Sequence, residues 1–500
     1  MQKILIILVG IAVAALPVLA EVTFGMPFAD NMVLQRDREV PIWGTAEPGE
    51  MVSVSFAGQE RTAVSDETGA WRITFDAMPA SKECSTLRAV GKTGKAEARN
   101  VLVGEVWFAS GQSNMECPIW GPNPRYRDAK GLLMTSMTRR PFIRYVKNKR
   151  VWSVVPRRDG TAVWREFAPE SFAADSKQCL SAVAFYYALE LYAALDVPVG
   201  IIDSSWGGTN IDAWTPRSAY AKHPALKDVE EFPVTDKYDN SMNVGPVNGA
   251  RQQPTVLWNG MVAAWAPYAM RGMIWYQGCH NWEEPERYAE KMHALYDGWS
   301  AEFSNPDMSF YFVQLAPYKT SWFDIQLEQA RFAEEEPHAA LVTTCDIGNF
   351  WDIHPNDKEI VAKRLALHAL RRDYGFVQVE DNAPTLESWK IEDGRFVLAF
   401  NDGDGWYMYN KNRTWKVAGF EVAGEDGAWV PAKVCNEVLY GGVLGGKELV
   451  VSADGVEKPC ALRYLASPPY EGALYSSDSA LPLGPFEIIA AKTNVEDTMR

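Results

Sequence analysis

The run Val106-Trp107-Phe108-Ala109 is apolar throughout and stops at Ser110-Gly111-Gln112-Ser113-Asn114-Met115-Glu116. Consecutive apolar residues without alternation suit a short buried strand, and the small and amide residues after it suit a backbone turning sharply into a loop. Open α/β sheets bind their ligands beyond the carboxyl ends of parallel strands. Ser113 is therefore a candidate nucleophile, provided that a histidine reaches it. Its simpler role is to cap the turn that follows, and Gly-x-Ser alone does not choose between the two.

The same design recurs. Val199-Gly200-Ile201-Ile202-Asp203 runs into Ser204-Ser205-Trp206-Gly207-Gly208-Thr209-Asn210, and Gly272-Met273-Ile274-Trp275-Tyr276 runs into Gln277-Gly278-Cys279-His280-Asn281-Trp282. A fourth strand, Ala340 to Cys345, leads through Asp346 to Asp352-Ile353-His354-Pro355. Further strands are expected at Phe142 to Val146 and Met308 to Leu315. Apolar residues at three- and four-residue spacing predict an amphipathic helix over Cys179 to Leu195. Helices are also expected near Glu286 to Phe303, Asp324 to Glu335 and Lys358 to Tyr374. Five or so such repeats predict an α/β domain over residues 103–380, a parallel sheet with helices on both faces and its polar loops on one edge. The Pro/Asn/Asp-rich segment Lys222 to Arg251 reads as a long surface loop edging those loops.

Five hundred residues exceed what one core usually supports. Short alternating runs with turn signals predict a β-sandwich over 21–102 and a second β-rich region over 381–492, with 493–500 as a tail. Asn401 to Gly405 and Ala423 to Gly427 lack the ligand spacing of calcium loops and read as turns. Residues 1–20, with Lys3 before an apolar run and small residues at the end, match a cleavable signal peptide, so a periplasmic or secreted protein is expected. Glu21 in place of a cysteine argues against a lipid anchor at that position, and no later segment has eighteen uninterrupted apolar residues, so no membrane insertion is expected. The formal charge of -15, one unit more negative once Lys3 leaves, argues against nucleic acid as a partner. Seven cysteines are few and odd in number, without metal-ligand spacing. Nineteen tryptophans and twenty tyrosines suit carbohydrate, whose C–H faces pack on aromatic rings.

Ser113, Gly207-Gly208, Gln277 with Asn281, and Asp352 with His354 thus lie on loops after four separate strands. A serine hydrolase needs such parts: a hydroxyl, an imidazole to take its proton, a carboxylate to fix the imidazole, and donors for the oxyanion. The ordered blocks Gly-Gln-Ser-Asn-Met, Ser-Trp-Gly-Gly-Thr, Trp-Tyr-Gln-Gly-x-x-Asn and Asp-Ile-His-Pro resemble the sialate O-acetylesterase family of the SGNH hydrolases. The resemblance extends to Asn31-Met32-Val33-Leu34-Gln35, Trp258-Asn259-Gly260-Met261 and Leu481-Pro482-Leu483-Gly484-Pro485-Phe486, which covers most of the chain. It implies an SGNH-like α/β domain, with β-sandwich regions built from both ends of the chain. It implies a serine esterase acting on O-acetylated sugar, without metal or cofactor. Ser113 matches the nucleophile, His354 the general base and Asp352 the orienting carboxylate. The N–H groups of Ser113 and of Gly208 (or Gly207), with the Asn281 amide, match the oxyanion hole. Gln112, Trp206, Asn210, Gln277 and His280 are expected at the substrate, with simple packing the alternative for His280.

Two departures bear on these roles. Cys279 and His280 stand where many relatives have Glu-Ser, and Trp351 holds the place three before the histidine where the general pattern has aspartate, so Asp346 is a second candidate for the acid. His223, His293, His338 and His368 show no partner in the sequence and read as ordinary histidines. Cys117 and Cys279 lie near the nucleophile and the Asn281 donor, so their loops are expected to converge, and a disulfide between them is the sharper of two readings. Acetylated plant polysaccharide such as xylan is the other substrate, and a non-catalytic secreted carbohydrate-binding protein is the other class. A two-carboxylate glycoside hydrolase would leave the serine and histidine blocks without a purpose.

Overall fold

The 17-residue strand β1, Lys95–Gly111, runs through two layers of the molecule. Its first part is only partly buried and pairs antiparallel with Ser81–Val90, whereas every residue from Val101 to Gly111 is buried. The expected division after residue 102 therefore falls inside a strand. What changes there is burial, from one face to both, rather than the path of the chain.

The protein is seen in a computed structural model that describes residues 21–490 apart from 122, 124–125, 129, 131–138, 169, 171–178, 349, 402–405, 410–416, 438–442, 445–447, 469–472 and 478. The expected signal peptide, the tail and most of the Asn401 to Gly405 turn lie outside the described residues.

The buried part of β1 is central to a sheet with β2 (Arg140–Lys147), β3 (Val199–Ser205), β4 (Gly272–Tyr276), β5 (Ser309–Val313) and β6 (Ala339–Val342). The order β2-β3-β1-β4-β5-β6 is parallel throughout, and an antiparallel strand, Arg165–Phe167, beyond β2 makes the sheet mixed. Helices α1 (Ala182–Leu195), α2 (Tyr288–Glu302), α3 (Phe323–Glu335) and α4 (Lys358–Arg372) cover both faces. On one face Trp107, Ala109, Tyr311 and Val313 meet Val183, Tyr187 and Leu191 of α1 and Val361 and Leu365 of α4. On the other Phe108, Trp275, Phe310 and Phe312 meet Tyr288, Met292 and Trp299 of α2 and Phe332 of α3. Alternate residues of one strand thus face opposite helix layers, which is why the strands read as unbroken apolar runs. Helix α1 departs from the expected amphipathic pattern: Ala182 to Ala188 are all buried because this end is enclosed by the sheet, the nucleophile loop and α4.

Register decides where the site lies. Gly111 pairs with Ser205 of β3 and Tyr276 of β4, so three strand ends finish side by side. The crossing continues beyond the sheet, with Trp206 N–H donating to Gly111 O (3.1 Å) and Gln112 N–H to Tyr276 O (3.0 Å). A side chain at Gly111 would come 2.3 Å from Tyr276 O, at a φ of +133° that L-residues rarely adopt.

The N-terminal strands form two facing layers. Val40, Ile42, Trp71 and Ile73 come from one, and Val52, Val54, Leu87 and Ala89 from the other. Residues beyond 385 form three further small sheets over one core containing Phe396, Trp406, Phe420, Leu449 and Leu462. Ala423 to Gly427 is a turn between paired strands, closed by Gly427 N–H to Gly424 O.

Candidate active site

Ser113 opens a single helical turn, Ser113–Glu116, directly after the strand end. It is half-buried, and its carbonyl accepts a hydrogen bond from the Tyr126 hydroxyl (2.7 Å). The glycine loop after β3 passes over it: a Cβ at Gly207 would lie 3.2 Å from Ser113 Cβ and 3.0 Å from Glu116 Oε2. A side chain at Gly207 would fit only if Glu116 or Ser113 gave way by a few tenths of an ångström.

Glu116 has a role that sequence reasoning missed. It is buried, accepts the Gly207 N–H at 2.9 Å and is ion-paired with Arg150. The Gly207 N–H is therefore engaged, and Gly208 is the free donor of the two among the described residues. The only signal for Glu116 was its place at the end of the opening stretch.

Asn281 is fully buried, and its amide is held in one orientation. Its Oδ1 accepts from Ile211 N–H (3.0 Å) and from Gln277 Nε2 (2.9 Å). Its Nδ2 is buried with no hydrogen-bond partner among the described residues. Buried amide donors are nearly always satisfied, so an orphaned one calls for an acceptor that the described residues do not supply.

Several of the residues expected at the substrate have their side-chain amides engaged by the protein itself. Gln277 donates to Thr209 O and Asn281 Oδ1 and accepts from Tyr288 hydroxyl, so both ends of its amide are occupied. Asn210 donates to Gln252 O (2.8 Å) and accepts from Ala213 N–H (3.1 Å), which leaves it a turn-forming role. Gln112 is buried with its side-chain oxygen on Gly278 N–H (3.2 Å). Trp206 remains half-exposed, with the Arg251 guanidinium 5.7 Å from its ring. His280 lies against Gln252, whose Nε2 is 2.6 Å from His280 Nε2 and 2.7 Å from Gly208 O. An amide donor on that nitrogen requires the neutral ring, and burial together with Arg251 lowers its proton affinity in the same direction. Arg251 ends the 222–251 region and Gln252 follows it, both beside Gly208; the region is less irregular than expected, with short helical turns at Pro224–Leu226, Lys227–Glu230 and Asn240–Met242 that bury Leu226 and Val229.

His354 and Asp352 come from the segment before α4. Asp352 Oδ1 accepts the His354 backbone N–H at 2.9 Å and stands 3.5 Å from its Nδ1. The imidazole packs edge-on against Tyr126, whose hydroxyl holds the Ser113 carbonyl. Asn114, next to the serine, donates to Ile353 O (3.0 Å), next to the histidine. The second acid candidate is placed differently. Asp346 receives two hydrogen bonds from Arg364 (2.9 and 2.7 Å) and one from Tyr475 (2.8 Å), which tie the sheet to the C-terminal β-region.

Burial and the nearby Lys358 ammonium lower the proton affinity of His354 below the ordinary value of 6.5, and Asp352 offsets part of this. A base must be neutral to accept a proton, so with His354 as the base, as the sequence leads one to expect, activity is expected above that pKa and lost as pH falls through it. The kcat/KM profile should show one acidic limb, centred below about pH 6.5, and a plateau to about pH 8. A limb at or above about pH 7 would contradict a histidine placed in this way.

Cys117 and Cys279 are both buried free thiols, which is the plainer of the two readings, and desolvation pushes them up to about 11 and about 12. The remaining histidines do have carboxylate partners on other segments, His338 among them, whose Nε2 stands 3.9 Å from Asp307. His223 lies between Glu290 (2.8 Å) and Asp297 (3.2 Å), His293 on Glu335, and His368 on Asp381. Among the described residues no cluster of His, Cys, Asp and Glu suits a metal, and no helix is long and apolar enough to cross a membrane.

Ser113 and the orphaned Asn281 amide thus follow the adjacent strands β1 and β4, and the histidine segment, which follows β6, is tied to the serine's turn through the Asn114–Ile353 hydrogen bond. Known proteins give the class: a crystal structure of a carbohydrate acetylesterase from Xanthomonas citri is similar at 31% identity, with a TM-score of 0.79 over 93% of this chain and 99% of that one. Sialate O-acetylesterase of Rattus norvegicus is 25% identical over 92% of this chain and 93% of its own, and that of Homo sapiens 27% identical over 73% of each. Residues 103–367 match a family model, and the chain belongs to that family, described as carbohydrate esterase, sialic acid-specific acetylesterase. It is a carboxylic ester hydrolase.

Proposed function

We propose that the protein is a serine esterase of the SGNH type that removes O-acetyl groups from a sialic acid, with Ser113, His354 and Asp352 as its triad. Ser113 Oγ attacks the acetyl carbonyl as His354 takes its proton, and Asp352 holds the imidazole. The oxyanion accepts hydrogen bonds from the N–H groups of Ser113 and Gly208 and from Asn281 Nδ2. Collapse releases the sugar alcohol, protonated by His354, and leaves an acetyl-enzyme. Water, activated by the same histidine, frees acetate. The observation that carries this reading is the buried, partnerless Asn281 Nδ2, whose Oδ1 is pinned by two protein donors. Residues 1–20 act in this account as a leader that directs the enzyme to the periplasm or outside the cell.

Arg251 favours an acidic sugar over a neutral one. Its exposed guanidinium lies at the Gly208 edge of the site, over Trp206, with no carboxylate partner among the described residues. A substrate carboxylate there would gain a charge-assisted contact that acetylated xylan lacks. Arg251→Ala should raise KM for O-acetylated sialic acid by roughly tenfold and leave KM for acetylated xylo-oligosaccharide within about twofold. Equal effects on both substrates, or acetate release from xylan alone, would overturn the sialate assignment.

A further inference from the structure

Lys358 begins helix α4, four residues after His354, and its side chain points into the protein rather than out. It is fully buried, and no carboxylate forms an ion pair with its ammonium among the described residues. The ammonium donates to Asn114 Oδ1 at 2.6 Å and lies 5.3 Å from the Tyr276 ring. An ammonium withdrawn from water without a counter-charge is costly, so a chain that keeps one beside its nucleophile has a use for it.

Asn114 shows the use. Its Oδ1 accepts from Lys358 and its Nδ2 donates to Ile353 O, so the lysine fixes which way the amide faces. Asn114 follows Ser113 directly and Ile353 precedes His354 directly. The three residues therefore close a bridge between the nucleophile turn and the histidine segment. A second anchor, Lys358 N–H to Asp128 Oδ2 (3.3 Å), holds the start of α4.

We propose that Lys358 is a positioning residue that acts through the Asn114 amide to set the reach of His354 to the Ser113 hydroxyl, and through its charge to keep the imidazole neutral. This rests on the triad reading above. The titratable groups around the ammonium are the Cys117 and Cys279 thiols and the Asp128 and Asp352 carboxyls. Those around His354 are Asp352, Lys358 and the Tyr126 phenol packed against its ring. Both thiols are protonated and neutral at ordinary pH, so among these groups only the lysine can carry a positive charge to the histidine, and burial lowers the lysine's own proton affinity.

The test uses the full-length enzyme and acetate release from an acetylated sialic acid, with wild type and Ser113→Ala as controls. Lys358→Met keeps the apolar stem and removes charge and donor. It should lower kcat by about ten- to a hundredfold with KM within about twofold, and move the acidic limb of kcat/KM upward by about half a pH unit or more. Asn114→Ala keeps the charge and breaks the bridge, so kcat should fall similarly while the acidic limb stays in place. If Lys358→Met does not fold, Asn114→Ala still decides: wild-type kcat in that variant overturns the bridge. A folded Lys358→Met with wild-type kcat, or with an unmoved acidic limb, overturns the role of the lysine. An inactive wild type, or an active Ser113→Ala, would instead sink the triad reading on which it stands.

Discussion

Ser113→Ala is expected to fold as the wild type does and to release acetate at least about three orders of magnitude more slowly. The hydroxyl is small and half-buried, and the links of its neighbourhood run through other atoms: the Ser113 carbonyl to Tyr126, and Asn114 to Ile353. Removing it leaves those bonds in place, so the thermal midpoint should move little. No neighbour can stand in as nucleophile. Cys117 is buried and its thiol is held up to about 11, which keeps it protonated at neutral pH. The residual rate would come from the oxyanion donors alone. Turnover near that of wild type would mean that the serine caps its turn and does nothing more.

Asn281→Ala is expected to lower kcat by roughly two to three orders of magnitude with little change in KM, because its Nδ2 meets charge that exists only in the transition state. The alanine also strips the acceptor from two buried donors, Ile211 N–H and Gln277 Nε2, so a stability loss of about 1–3 kcal/mol should accompany it. Asn281→Asp separates the two effects. It keeps an acceptor for both donors yet places an oxygen where the N–H was, so kcat should fall at least as far. Steady-state kinetics beside denaturant midpoints would read both, and a loss confined to KM would move Asn281 to substrate binding.

The strands and their loops were legible because parallel strands buried on both faces leave no alternation, and each ends at small or amide residues. Ser113, the glycine pair, Asn281, Asp352 and His354 could be picked out as chemistry-bearing residues on such loops. The partners of those residues could not. Glu116 meets Gly207 across 91 positions, and Lys358 meets Asn114 across 244, with no local pattern to announce either contact. The amide partners of Gln277 and Asn210 were hidden for a related reason: an amide looks alike in sequence whether it faces substrate or a backbone carbonyl. The histidines read as partnerless were paired by carboxylates on separate elements, as His223 is by two residues of α2. The division drawn at residue 102 falls inside a strand that carries on to Gly111, where burial passes from partial to complete.

The central claim is that Ser113 is the nucleophile, and covalent labelling tests it most directly. The full-length enzyme, treated with an organophosphate and digested, should carry a single adduct on the peptide containing Ser113, and acetate release should disappear in proportion to labelling. Full acetate release from completely labelled enzyme, or an adduct on another residue that tracks the loss of activity, would contradict the account.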